Sequence, residues 1–178
     1  MVVVKKILDF YINSSLHVAL SAFALVLMTQ YFFDVKDDFS VAFFTFFGTV
    51  VGYNFVKYDA IARLNKTDIK KELKVIVFLS FISFLACFYF FLQLRWATKL
   101  SAFAFFGLTL LYTLPFFPNK QNARNWKGVK IYIVGITWVG VTVILPFVEA
   151  EIPFSKDVFL MALQRFLLIF SMVLVFDI

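Results

Sequence analysis

Cysteine is almost absent: Cys87 is the only one in 178 residues. That excludes a disulfide framework and any zinc site built on cysteine pairs. Histidine is as scarce, with His17 alone. There is no glycine-rich phosphate loop, no GxSxG nucleophile elbow and no HExxH helix. No internal repeat, linker or second domain interrupts the chain. The apolar runs are continuous and lack the period-two alternation of a membrane barrel.

Apolar residues fill the space these absences leave. They make up 62% of the chain, including 27 phenylalanines, and the mean hydropathy is +0.90. Soluble domains are about 45–50% apolar, so a soluble globular domain is excluded. A helix that crosses a bilayer needs about 20 apolar residues. Six stretches approach that length: residues 16–33, 39–56, 75–94, 100–117, 131–148 and 158–176. Lipid offers backbone groups no partner, so these stretches must be helical. The expected fold is therefore all-α: a polytopic bundle of six transmembrane helices in one domain, residues 1–178. Ahead of the first span, KKILDFYINSS mixes charge with Ile7, Leu8, Phe10, Tyr11 and Ile12, which reads as a short interfacial helix. Lys5-Lys6 and Ala22-Phe23-Ala24 imitate a signal peptide, but the apolar run continues to Phe33, as in a true span.

The charges sort by loop. Lys5 and Lys6 precede the first span. Lys57, Arg63, Lys66, Lys70, Lys71 and Lys74 follow the second, and Lys120, Arg124, Lys127 and Lys130 follow the fourth. The other loops hold Lys36, Arg95, Lys99 and Lys156 against Asp34, Asp37, Asp38, Glu149, Glu151 and Asp157. Cytoplasmic loops carry the Lys/Arg excess. The expectation is a plasma-membrane protein (bacterial inner membrane) with both termini in the cytoplasm. The net charge of +6 is then topological, and nucleic acid is excluded as a partner.

Three places on the basic side carry candidate chemistry. The second span ends in GTVVGYNFVKYDAIARL. Gly48 and Gly52 form a small-xxx-small pair suited to close helix packing. Asn54 reads either as an interhelical hydrogen-bonding residue or as a ligand. At 100° per residue, Asn54, Lys57 and Tyr58 share a face, whereas Asp59 lies off it and suits an ion pair with Arg63. The fourth span ends in LLYTLPFFPNKQNARNWKGVK. There Pro115 and Pro118 end or kink the helix. Lys120 and Arg124 serve topology or a phosphate group, and Tyr112 lies close enough to join them. The third place is Asp177, where the last span emerges in FDI; it reads as a solvated end or as a site carboxylate. Within the spans, His17 reads as a snorkelling or hydrogen-bonded residue. Arg165 reads as snorkelling to Asp157 or Glu151.

These segments together resemble the first two-thirds of the UbiA superfamily of intramembrane prenyltransferases. GYNFVKYD is similar to its first Asn/Asp-rich motif, LYTLPFFPNK to its Tyr-to-Lys segment, and FDI to the opening of its second motif. The resemblance implies a bundle whose cavity takes a prenyl diphosphate donor, a lipophilic acceptor of unknown identity and Mg²⁺. It implies Asn54, Asp59 and Asp177 as metal ligands, with Asn54 and Asp177 catalytic. Tyr112, Lys120 and Arg124 would bind the diphosphate. It also implies that the chain is a fragment, lacking the last three helices and inactive or nearly so by itself. Two positions depart from the pattern: Tyr58 stands where the first motif expects an acid, and Asp59 comes one residue late. Tyr58 keeps open a non-catalytic relative that binds isoprenoid or other lipid. An unrelated six-helix channel or transporter component is a further alternative, opposed by the shortage of intramembrane charge.

Overall fold

The computed structural model describes residues 2–35, 39–64, 71–114 and 128–176. Among them every regular element is helical: α1 (Val2–Asn13), α2 (Leu16–Phe32), α3 (Phe39–Leu64), α4 (Lys71–Gln93), α5 (Trp96–Thr113), α6 (Val129–Val139), α7 (Leu145–Glu149) and α8 (Lys156–Phe176). One π-helical turn, Gly140–Ile144, joins α6 to α7. Four stretches are long and apolar enough to cross a membrane: Phe39–Tyr58, Leu73–Gln93, Val129–Glu149 and Lys156–Val175. A fifth is added if α1 and α2, bent by 61°, count as one. α5 falls outside this set because Thr98, Lys99, Ser101, Thr109 and Thr113 dilute its apolar residues.

The helices end where the backbone has a reason to stop. α5 ends at Thr113, and Leu114 is extended (φ −88°, ψ 145°). Leu114 precedes Pro115, whose ring disfavours helical geometry one residue back. α2 ends with Asp34 in the left-handed region (φ 49°). Val35 N–H then bonds Gln30 O at 2.9 Å and Asp34 N–H bonds Tyr31 O at 3.4 Å, which satisfies carbonyls of the last turn. Glu151 (φ 54°) closes α7 the same way, with Ile152 N–H on Phe147 O at 3.1 Å.

The chain divides into two compact units: Met1–Leu27 with Asp38–Gln93, and Met28–Asp37 with Leu94–Ile178. In the first, aromatic rings interlock the helices. Phe90 of α4 stacks on Phe43 (5.1 Å) and Phe47 (6.0 Å) of α3, and Phe23 of α2 meets Phe43 at 5.4 Å. Cys87 packs rather than facing lipid, its Sγ 3.9 Å from Phe44 O. The outer face of α4 presents Phe78, Phe81, Phe84 and Phe88, all more than half exposed. In water such a face would be a liability, whereas acyl chains solvate it.

In the second unit, Val143, Phe147 and Val158 form a buried centre that Phe33, Val139, Ile152 and Met161 close over. Phe33 meets Phe147 edge-on at 4.6 Å. The crowded glycines are here, not at the Gly48/Gly52 pair. A Cβ on Gly48 would only touch Cys87 Sγ at 3.6 Å, and one on Gly52 would meet nothing within 4 Å. On Gly135 it would come within 2.8 Å of the Phe166 ring, and on Gly140 it would overlap the Phe105 ring. Gly140→Val is therefore expected to destabilise by about 1–3 kcal/mol through overpacking. Gly52→Ala should leave the melting temperature in detergent unlowered, because the added methyl meets nothing and alanine favours the helix; equal melting temperatures for the two variants would refute this packing.

Candidate functional site

Asn54 sits in α3, is 3% exposed, and donates from Nδ2 to Ser80 Oγ of α4 at 2.9 Å. The amide's orientation follows from Ser80. That hydroxyl gives its proton to Ile76 O at 2.8 Å, so its oxygen only accepts. Asn54 must therefore turn its nitrogen to Ser80 and its oxygen away. Among the described residues Asn54 Oδ1 is buried with no hydrogen-bond partner. Buried oxygens are ordinarily bonded, so an oriented carbonyl without a partner among the described residues makes Asn54 a candidate site residue. The interhelical bond and the available oxygen coexist in one side chain.

One turn further along α3, the same face is tied to the end of α1. Tyr58 Oη donates to Asn13 O at 2.9 Å. Lys57 Nζ reaches Asn13 O and Oδ1, both at 3.3 Å, and lies 5.5 Å from the Tyr58 ring centre. A cation and a hydroxyl at a helix C-terminus satisfy its open carbonyls and its negative dipole end. Tyr58, which stands where the motif expects an acid, therefore has a structural partner. At the start of α2, His17 lies 5.8 Å from the Tyr11 ring, and its Nδ1 is buried without a partner among the described residues.

Tyr112 is half-buried on α5 in the second unit. An open apolar groove of about 440 Å³, lined by Ala104, Gly107, Leu108, Leu110 and Leu111, runs beside the preceding turns. The side chain of Asp59, and all of Lys120, Arg124 and Asp177, lie outside the described residues. The described residues contain no group of three or more His, Cys, Asp and Glu side chains poised for a metal.

The second unit holds a buried polar relay that the sequence did not announce. Pro146 has no N–H for the carbonyl four residues back, Thr142 O, and its ring crowds that carbonyl. The π turn widens the helix at this point, with Leu145 N–H reaching Gly140 O. Thr29 of α2 then donates from Oγ1 to Thr142 O at 2.8 Å. Arg165 Nη2 of α8 lies 3.5 Å from the same Thr29 oxygen and donates to it. Arg165 is 5% exposed, so it turns inward rather than snorkelling to the acidic loop as its position suggested. Glu151 pairs with Arg95 instead. Glu149, 8% exposed, accepts the Arg95 N–H on both carboxylate oxygens at 3.0 and 3.3 Å, which places an anion at the N-terminus of α5. The signals that pointed this way were Pro146 inside an apolar span and two threonines far apart in sequence.

Compared with protein-family models, curated proteins and solved structures, the chain matches none.

Thr29→Val removes the donor to Thr142 O and should cost about 1–3 kcal/mol, the penalty for an unpaired buried carbonyl. Pro146→Ala returns an N–H to that carbonyl. Thermal unfolding of the double variant should then show the Thr29→Val cost reduced in the Pro146→Ala background. Strict additivity of the two changes would sink the relay.

Proposed function

We propose that the protein is a UbiA-like integral membrane prenyltransferase, with a prenyl diphosphate as donor and a lipophilic acceptor. On this reading α2, α3, α4, α5, α6–α7 and α8 each cross the plasma membrane, with the basic loops and both termini in the cytoplasm. The observation that carries the reading is the Asn54 amide. Its oxygen is buried, oriented by Ser80 and without a partner among the described residues, at the position of the family's first motif. An uncharged hard oxygen of this kind fits Mg²⁺. Asn54 would contribute one ligand to the ion, which when bound offsets the charge that develops on a departing diphosphate.

The chain's own residues do the rest. Ser80 keeps the Asn54 oxygen pointed away from α4. Lys120 and Arg124 bind the diphosphate oxygens, with Tyr112 as a hydrogen-bond donor beside them. Aliphatic walls of the kind that line the α5 groove exclude water from the prenyl tail.

One observation favours a second reading, a relative that binds isoprenoid without turning it over. Tyr58 replaces the expected acid and is engaged with Asn13. Radiolabelled prenyl diphosphate and Mg²⁺, added to protein in nanodiscs, separate the two. Mg²⁺-dependent binding is expected, weakened about 10–100-fold by Ser80→Ala, which frees the amide that Ser80 orients. Asn54→Ala should weaken it more, and Ser80→Thr should restore it. With the full-length protein, transfer to a lipid-extract acceptor that is lost in Asp177→Ala supports the enzyme; binding without transfer supports the second reading. Binding that ignores Mg²⁺ and Asn54 would defeat both.

A further inference from the structure

α1 carries a sharply divided surface. At 100° per residue, Val3, Val4, Ile7, Leu8, Phe10, Tyr11 and Ile12 occupy one arc, and Lys5, Lys6, Asp9 and Asn13 the other. The apolar arc is uncovered among the described residues, with Val3, Val4 and Ile7 64–69% exposed. A helix this apolar on one side needs an occupant for that side, and the geometry of the corner after it says which.

α1 does not continue the axis of α2; the two are bent by 61°. The bend is built into the chain. Ser14 and Ser15 are buried, at 0% and 3% exposed, and Ser15 takes a left-handed conformation (φ 61°). Ser15 N–H bonds Ile12 O at 3.2 Å, closing α1, and Ser15 O accepts Ala19 N–H at 3.1 Å, opening α2. The 17 residues of α2 rise about 26 Å at 1.5 Å each, most of a hydrocarbon core of about 30 Å. α2 therefore needs no further length from α1. At the far end of α1, Lys57 and Tyr58 fasten Asn13 to α3. Lys5 and Lys6 on the polar arc, and Lys57 at its end, leave this edge of the unit positively charged.

We propose that α1 lies in the headgroup layer of an anionic lipid leaflet. Its apolar arc enters the acyl boundary, Lys5 and Lys6 face lipid phosphates, and the Asn13 contacts with Lys57 and Tyr58 hold it beside α3. Surface helices of this kind bury their apolar face about 5–10 Å deep and gain from anionic lipid. The proposal is independent of the transferase reading.

The test uses the whole protein in vesicles with Cys87→Ser as the background. Single cysteines at positions 3 to 12 are labelled with a nitroxide. Collisions with oxygen, which partitions into lipid, are compared with those of a water-soluble nickel chelate. The ratio should oscillate with the helical repeat, oxygen-rich at Val3 and Ile7 and nickel-rich at Lys5 and Asp9. Uniform nickel access would show a helix standing off the membrane. An oxygen-rich Asp9 would show α1 continuing as part of a span. Either result overturns the proposal. In vesicles containing phosphatidylglycerol, Lys5→Glu with Lys6→Glu should raise nickel access at position 7 several-fold, as should replacing that lipid by phosphatidylcholine. No change in either arm would overturn the assignment to anionic headgroups.

Discussion

A carbonyl inside a bilayer has no water to fall back on, and Thr142 O meets that constraint in this protein. Pro146 removes its α-helical donor. Thr29 of α2 answers the need by donating to it, and Arg165 of α8 donates in turn to the Thr29 hydroxyl oxygen. The consequences spread through the second unit. The π turn that makes room for the proline ring contains Gly140, packed under the Phe105 ring. It also contributes Val143, one of the buried residues on which Phe33 and Met161 close. Arg165, an intramembrane arginine, turns inward and places a guanidinium nitrogen on the buried Thr29 hydroxyl.

The first unit is organised differently. Its helices are locked by stacked phenylalanines, and one group of its polar contacts gathers where α3 meets the end of α1 and the first half of α4. Ser80 and Asn13 divide the work there. Ser80 orients the Asn54 amide, while Asn13 holds Lys57 and Tyr58. The Asn54 amide is fixed on one side, and its oxygen has no partner among the described residues. This distinguishes Asn54 from Gln93, whose Oε1 accepts from the Ser40 hydroxyl at 3.2 Å on an exposed surface.

Much of the helical layout was legible in the sequence because hydropathy and helix formation coincide in lipid. The first run, 16–33, became Leu16–Phe32, and the last, 158–176, became Lys156–Phe176. Where the two diverge, the reason is local. α3 runs on to Leu64 because Ala60, Ile61, Ala62 and Arg63 sustain a helix beyond the apolar stretch. α5 starts at Trp96, ahead of the run, where Glu149 supplies the N-terminal anion, and it stops before Pro115. The side-chain partners were not legible. Asn54 reads from sequence either as an interhelical hydrogen-bonding residue or as a ligand; the structure shows the interhelical bond to Ser80, whose own bond to Ile76 O orients the amide. Arg165 was assigned to the nearest acids, because nothing in the sequence pairs it with a threonine 136 residues earlier.

The Thr29–Thr142 bond joins residues 113 positions apart. Ribosomes add about 5–20 residues per second, so α2 is made on the order of ten seconds before its partner. Through that interval the polar end of α2, with Thr29 and Gln30, sits in the translocating chain with its later neighbours not yet synthesised. The Thr29 hydroxyl can reach its long-range acceptor only once Thr142 has been made.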